Sequence, residues 1–197
     1  LNLGWAYWHA KRLDDAWRVG STLVQLDPEN VSFLVFKANT SIERKDYAGA
    51  ARLAKRALDL SPEHREAGMV LAKSLFRLKK EKEAMALLDQ LIAKNPDDRD
   101  AEYKRAMFAA ELGQRGPALA ALERLLKADP SNVSYRRSRA KILSELGRPQ
   151  EAKAEWESLT RGHPDAQSLL NLGWAYWHEA RFDEARDIGS MLLKLDD

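Results

Sequence analysis

The chain contains no cysteine, which excludes disulfides, thiol nucleophiles and cysteine-based zinc sites and leaves oxidising and reducing compartments equally open. It also has almost no charge imbalance. A formal net charge of +2 is far short of the concentrated basic face that a nucleic acid requires, so no nucleic-acid partner is expected. No apolar run approaches the roughly 20 residues of a membrane span, no secretory signal is visible, and no stretch has the composition of a disordered segment. Catalytic and metal-binding patterns are missing as well. His9, His64, His163 and His178 are scattered without ligand spacing, and Gly113-x2-Gly116 by itself is no phosphate loop. No catalytic residue, metal or cofactor is expected, and the many carboxylates alternate with Lys and Arg, as in Glu81-Lys82-Glu83, in the manner of solvating charge.

What is present is a period. Pro28, Pro62, Pro96, Pro130 and Pro164 stand 34 residues apart, and a fixed period of that size is the signature of a stacked array. Each proline ends the helix before it, because it lacks an amide hydrogen and clashes with the preceding turn. The polar residues around it, as in Asp27-Pro28-Glu29-Asn30 and Asp129-Pro130-Ser131-Asn132, can cap the next helix. A softer break recurs midway, at Lys11-Arg12, Lys45-Asp46, Lys79-Lys80, Gly113-Gln114, Gly147-Arg148 and Ala180-Arg181. Two of these carry the glycine that suits a left-handed helix terminus. Every unit therefore reads as a helical hairpin. Hydrophobic residues at 45% and charged residues at 31% fit hairpins with apolar stacked faces and solvated outer ones.

Within the unit the spacing resembles the tetratricopeptide repeat, W-x2-L-G-x2-Y, then A-x3-F, an alanine and the proline. Leu3-Gly4-x2-Tyr7 and Leu172-Gly173-x2-Tyr176 match its first half, and Ala16, Ala50, Ala84, Ala118, Ala152 and Ala185 supply the alanine of the second helix. Ala38, Ala72, Ala106 and Ala140 fill the glycine position, where two helices approach closely. The leading Trp is absent, and the phenylalanine position holds Gly20, Ala54, Leu88, Leu122, Trp156 and Gly189. The resemblance covers the whole chain and implies an all-α fold, a right-handed superhelical solenoid of antiparallel helix hairpins. One array over 1–197 is expected, with repeats 1–30 (partial), 31–64, 65–98, 99–132, 133–166 and 167–197 (partial). Because it starts and stops inside repeats and opens on Leu, the chain reads as a fragment of a longer array.

The resemblance also implies a non-catalytic scaffold that binds a protein or peptide in a concave groove lined by the first helix of each repeat. Carried onto this chain, the ninth repeat positions form a row of Trp5, Asn39, Lys73, Met107, Lys141 and Trp174. Beside it stand Trp8, Arg77, Tyr103, Arg137 and Trp177. Lys73, Arg137 and Lys141 are suited to carboxylates, and Tyr103 and Met107 to adaptable apolar contact. The carboxylate clamp of chaperone-binding repeats is not expected, since of its positions only Asn39 fits, with Lys104 a partial match.

Residues 1–27 and 170–196 are identical at 17 positions, including all of Leu1 to His9 against Leu170 to His178. The shared Trp-x2-Trp pairs, Trp5 with Trp8 and Trp174 with Trp177, have two readings. They anchor a ligand or interface through flat aromatic faces, or they fill the space left by Gly20 and Gly189. The first keeps open an alternative function, similar to the repeat arrays that precede bacterial outer-membrane exopolysaccharide exporters: a periplasmic scaffold that recruits modifying enzymes or contacts the polysaccharide. Self-association through the array ends is a further expectation, since cut ends of such arrays seek another surface.

Overall fold

A computed structural model describes residues 1–162 and 164–195. His163 of the fifth connector, Asp196 and Asp197 lie outside the described residues. Among the described residues there are twelve helices and no strand: α1 (Asn2–His9), α2 (Leu13–Leu26), α3 (Val31–Glu43), α4 (Tyr47–Leu60), α5 (Arg65–Arg77), α6 (Glu81–Lys94), α7 (Arg99–Glu111), α8 (Arg115–Ala128), α9 (Val133–Glu145), α10 (Pro149–Gly162), α11 (Ala166–His178) and α12 (Phe182–Leu193). The fold is all-α and built of helical hairpins.

The local chemistry of both breaks explains these boundaries. Before the prolines, Asp27, Ser61, Asn95 and Asp129 take φ near −140°, the extended conformation forced on a residue that precedes proline. After them, the Asn30 and Asn132 side chains accept the free N–H of Phe33 and Tyr135, and Asp98 and Asp165 do the same for Ala101 and Ser168. His64 performs this role through Nδ1, which accepts from Ala67 at 3.2 Å. At the midway breaks all six residues are left-handed: Lys11, Lys45, Lys79 and Ala180 at φ 57 to 63°, Gly113 at 79° and Gly147 at 74°. The following N–H reaches back five residues in each, as in Lys80 to the Leu75 oxygen at 2.9 Å, closing the helix end.

Four non-glycine residues thus hold a conformation that costs about 1 kcal/mol for a residue with a Cβ. Lys79→Gly is expected to stabilise the protein by roughly 0.5 kcal/mol, and Gly147→Ala to destabilise it by about 1 kcal/mol. Urea denaturation measures both, and equal midpoints for the two variants would contradict the assignment.

The chain divides into two compact units, Leu1–Ala101 and Glu102–Asp197. In the first, each second helix packs on the first helix of its own hairpin and on that of the next: α1 on α2, α2 on α3, α3 on α4, α4 on α5, α5 on α6. Leu34, Val35, Ala38, Ile42, Ala50, Ala54, Ala57, Ala67 and Val70 form its buried cluster. In the second, α8, α9, α10, α11 and α12 pack in sequence, around Leu119, Leu122, Leu125, Ile142, Leu143, Trp156, Leu159, Leu169 and Leu172. The alanines of the second helices, Ala16, Ala50, Ala84, Ala118 and Ala152, are all buried; a larger side chain at any of them would push two helices apart. Ala185 is only half-buried, and α12 contains no buried residue.

Candidate functional site

The expected groove residues lie on the first helices of their hairpins, and the structure sorts them by what they already touch. In the first unit the polar members of the row are engaged with neighbouring helices. Asn39 of α3 donates to Glu66 Oε1 of α5 at 3.0 Å, and Lys73 of α5 lies 3.6 Å from Glu43 Oε1 of α3. Arg77 is exposed at the end of α5, its guanidinium 5.7 Å from the Phe76 ring centre. Trp5 meets Phe36 of α3 edge-on at 4.8 Å, and Trp8 meets Trp5 at 5.8 Å.

The same unit contains a tighter polar node, at the start of α5. Arg65 forks onto the buried Asp98 with both bonds at 2.6 Å and adds Asp100 at 2.8 Å. These Arg65 hydrogen bonds hold the Asp98 carboxyl below its usual range, against burial and aided by the Ala101 N–H. The node ties the connector and the cap of α7 together.

In the second unit the row is more open. Tyr103 is half-buried, its hydroxyl 2.8 Å from Ser138 Oγ and its ring 5.0 Å from Tyr135. Arg137, expected to face a ligand carboxylate, instead donates to Asp165 Oδ2 at 2.9 Å. Burial opposes the ionisation of Asp165, but the Ser168 hydroxyl and N–H that it accepts, together with Arg137, hold its carboxyl below the usual range. The basic face of α9 is consumed further by Arg136 and Arg139, both paired with the buried Glu155 of α10. Lys141 is what remains. It is exposed and has no carboxylate partner among the described residues.

Two hollows meet at that lysine and at Glu145 one turn on, whose carboxylate is paired with Arg115 at 2.7 Å. One, of about 170 Å³, lies between α7 and α9 and is lined by Met107, Ala110, Glu111, Ser138, Lys141, Ile142 and Glu145. The other, of about 620 Å³, continues toward α11 past Ser144, Lys153, Trp156, Asn171, Trp174, His178 and Glu179. Met107, Lys141 and Trp174, three successive members of the row, therefore line one connected surface. Its far wall is held by Lys153, which donates to Glu179 at 2.6 Å; that bond keeps the Glu179 carboxyl below its usual range. Asn171, Lys153 and Glu179 were not picked out by the sequence reading. Asn171 had a signal, since it sits one helical turn before Trp174 on the same face.

The reading of the tryptophans as fillers of the glycine positions does not describe what is seen. The space at Gly20 is taken by Phe36 and by the Lys37 backbone, and at Gly189 nothing lies within 4 Å. Trp174 and Trp177 are 55% and 56% exposed. Among the described residues, no group of three or more His, Asp or Glu is placed to hold a metal ion.

A hairpin with an alanine-tight inner seam, a capped proline connector and an exposed first-helix face defines a class of all-α repeat proteins. One tetratricopeptide repeat profile matches residues 41–107, and a second matches 83–133, 103–152 and 137–197, which together span more than half of the chain. The chain belongs to the tetratricopeptide repeat family. No curated protein matches it significantly. Among solved structures it is similar to a thermophilic tetratricopeptide repeat protein of Thermus thermophilus, with a TM-score of 0.78 and 21% identity over 90% of this chain and 97% of that one. It is also similar to a repeat protein of Parabacteroides merdae, with a TM-score of 0.80 and 20% identity over 98% and 81%. A third is PilW, a type IV pilus biogenesis factor, with a TM-score of 0.82 and 21% identity over 97% and 89%. At these identities the likeness is one of fold.

Proposed function

We propose that this protein is an interaction scaffold that binds an extended peptide segment of a partner protein along the first-helix face of its second unit. The observation that carries the reading is the pair of hollows that share Lys141. A cation without a carboxylate partner among the described residues, flanked on one side by Met107 and on the other by Trp174, fits a peptide that places a carboxylate between two apolar side chains. Asn39, Lys73 and Arg137 are already bonded within the chain, so they shape the surface rather than contact the ligand first. Tyr103 borders it in the same way.

Lys141→Glu tests this without disturbing the fold, because an exposed, unpaired side chain changes stability by no more than about 0.5 kcal/mol. In a pull-down from source extract, a partner retained by the unaltered chain and identified by mass spectrometry is expected to be lost with Lys141→Glu. Its mapped peptide should bind at least tenfold more weakly to the variant, a ratio that corresponds to about 1.4 kcal/mol. Equal retention by both chains would refute the groove. A polysaccharide partner rests on the exposed rings of Trp174 and Trp177 alone; signal on a glycan array, with no protein retained, would put it first.

A further inference from the structure

The first unit has a hollow of about 310 Å³ that contains none of the expected groove residues. Three helices contribute to it: Trp17 comes from α2, Lys37 from α3, and Arg52, Leu53 and Arg56 from α4, with Asp46 at the cap of α4. Lys37, Arg52 and Arg56 have no carboxylate partner among the described residues. Lys37 is half-buried, its Nζ 5.5 Å from the centre of the Trp17 ring, and Arg44, paired with Asp14, covers the same ring at 4.7 Å. Asp46 does not neutralise them, because its Oδ1 accepts the Gly49 N–H at 2.8 Å. Glycine at 49 leaves room for that carboxylate; an added Cβ would collide with Asp46 Oδ2. The repeat does not impose the three cations, since 34 residues on their places are held by Leu71, Ala86 and Gln90.

Three cations around one hollow are matched by a ligand with two negative charges, and a lone carboxylate would leave two of them facing each other. Arg52 and Arg56 stand one helical turn apart, about 6 Å along α4. In an extended segment, side chains two residues apart point the same way at a spacing of about 6.6 Å. Trp17 and Leu53 add apolar wall, on which the methylenes of a long acidic side chain can lie. We propose that this hollow docks an extended Glu-x-Glu segment of a partner protein, with one carboxylate on each arginine and Lys37 closing over the pair. A second copy of the chain does not supply the segment. Its own Glu-x-Glu stretches, Glu81 with Glu83 and Glu155 with Glu157, lie in α6 and α10, where residues two apart face different ways. The proposal is independent of the groove reading, since no residue of this hollow lines either of those that share Lys141.

The test uses the intact chain and the peptide Gly-Ser-Glu-Ser-Glu-Ser-Gly, added to millimolar concentration. The Trp17 indole N–H and the Nε–H signals of Arg52 and Arg56 are followed by NMR. Saturable shifts of all three are expected, with an affinity that falls as salt is raised. The same peptide with glutamine for both glutamates should give none. Read at Trp17, the affinity is expected to drop at least tenfold when Arg52→Gln and Arg56→Gln are combined. Both positions are exposed and glutamine is as good a helix former as arginine, so this variant still folds. No shift at millimolar peptide would overturn the proposal, as would binding that survives the double change. Shifts at Trp174 alone would place the peptide in the groove and overturn it too. Inorganic phosphate that competes at concentrations equal to the peptide would do the same, assigning the hollow to a phosphoryl group instead.

Discussion

Phe36→Ala is expected to destabilise the protein by about 3–5 kcal/mol, with the loss concentrated in the first hairpin. The ring is enclosed on three sides by groups that have no means of closing the gap. Gly4 and Gly20 contribute no side chain, and Trp5 is held against Trp8 as well as Phe36. The cavity would therefore stay open, which places the cost at the upper end for a buried aromatic. In an array of hairpins each unit is stabilised by its neighbours, so removing one contact loosens one interface rather than the whole molecule. Urea denaturation followed by tryptophan emission should show an early phase, from Trp5, Trp8 and Trp17, that separates from the main transition. A single transition shifted by less than about 1 kcal/mol would show that Phe36 does not hold α1 and α2 in place.

Glu155→Ala is expected to cost about 3 kcal/mol. Glu155 of α10 is 6% exposed and faces two guanidiniums of α9, Arg136 and Arg139. Both arginines are themselves largely covered, so water would not readily replace the carboxylate, and the two cations, one turn apart on the same helix, would then repel each other. Arg136 retains one partner, Ser158 Oγ at 2.7 Å, which limits the loss. Combining Glu155→Ala with Arg139→Ala should cost less than the sum of the two single changes, because the second change removes the stranded charge. Strict additivity in thermal or urea unfolding would refute the coupling. The same arrangement narrows the choice of ligand contacts, since of the four cations from Arg136 to Lys141 only the lysine is left to a partner.

Much of this was legible in the sequence, for reasons that differ from residue to residue. Proline and the residue before it are constrained by their own covalent geometry, so the connectors could be located without any neighbour. The inner alanines were legible because a close helix crossing tolerates little else, and Ala38, Ala72, Ala106 and Ala140 are buried in the structure. The midway breaks were legible as positions, but their uniform left-handed backbone was hidden at Lys11, Lys45, Lys79 and Ala180, whose side chains disfavour it. The row expected from the resemblance lies on the first helices of the hairpins. Its division into engaged and free members was not legible, because Arg137 and Lys141 look alike until Asp165, 28 residues away from Arg137, is brought beside one of them.

The identical opening residues of the first and last repeats separate the two levels most directly. Leu3 is 58% exposed and Leu172 is 2% exposed; Gly4 has a ring against it, and Gly173 sees only Ile188 of its own hairpin. By itself the sequence determined the helices, their caps and breaks, the period and the family, since all of these follow from local geometry and from a pattern that repeats. Only the tertiary structure decided which residues of a repeated pattern are buried and which cations are already paired, because burial and pairing belong to the neighbour that packs against a residue and not to the residue alone.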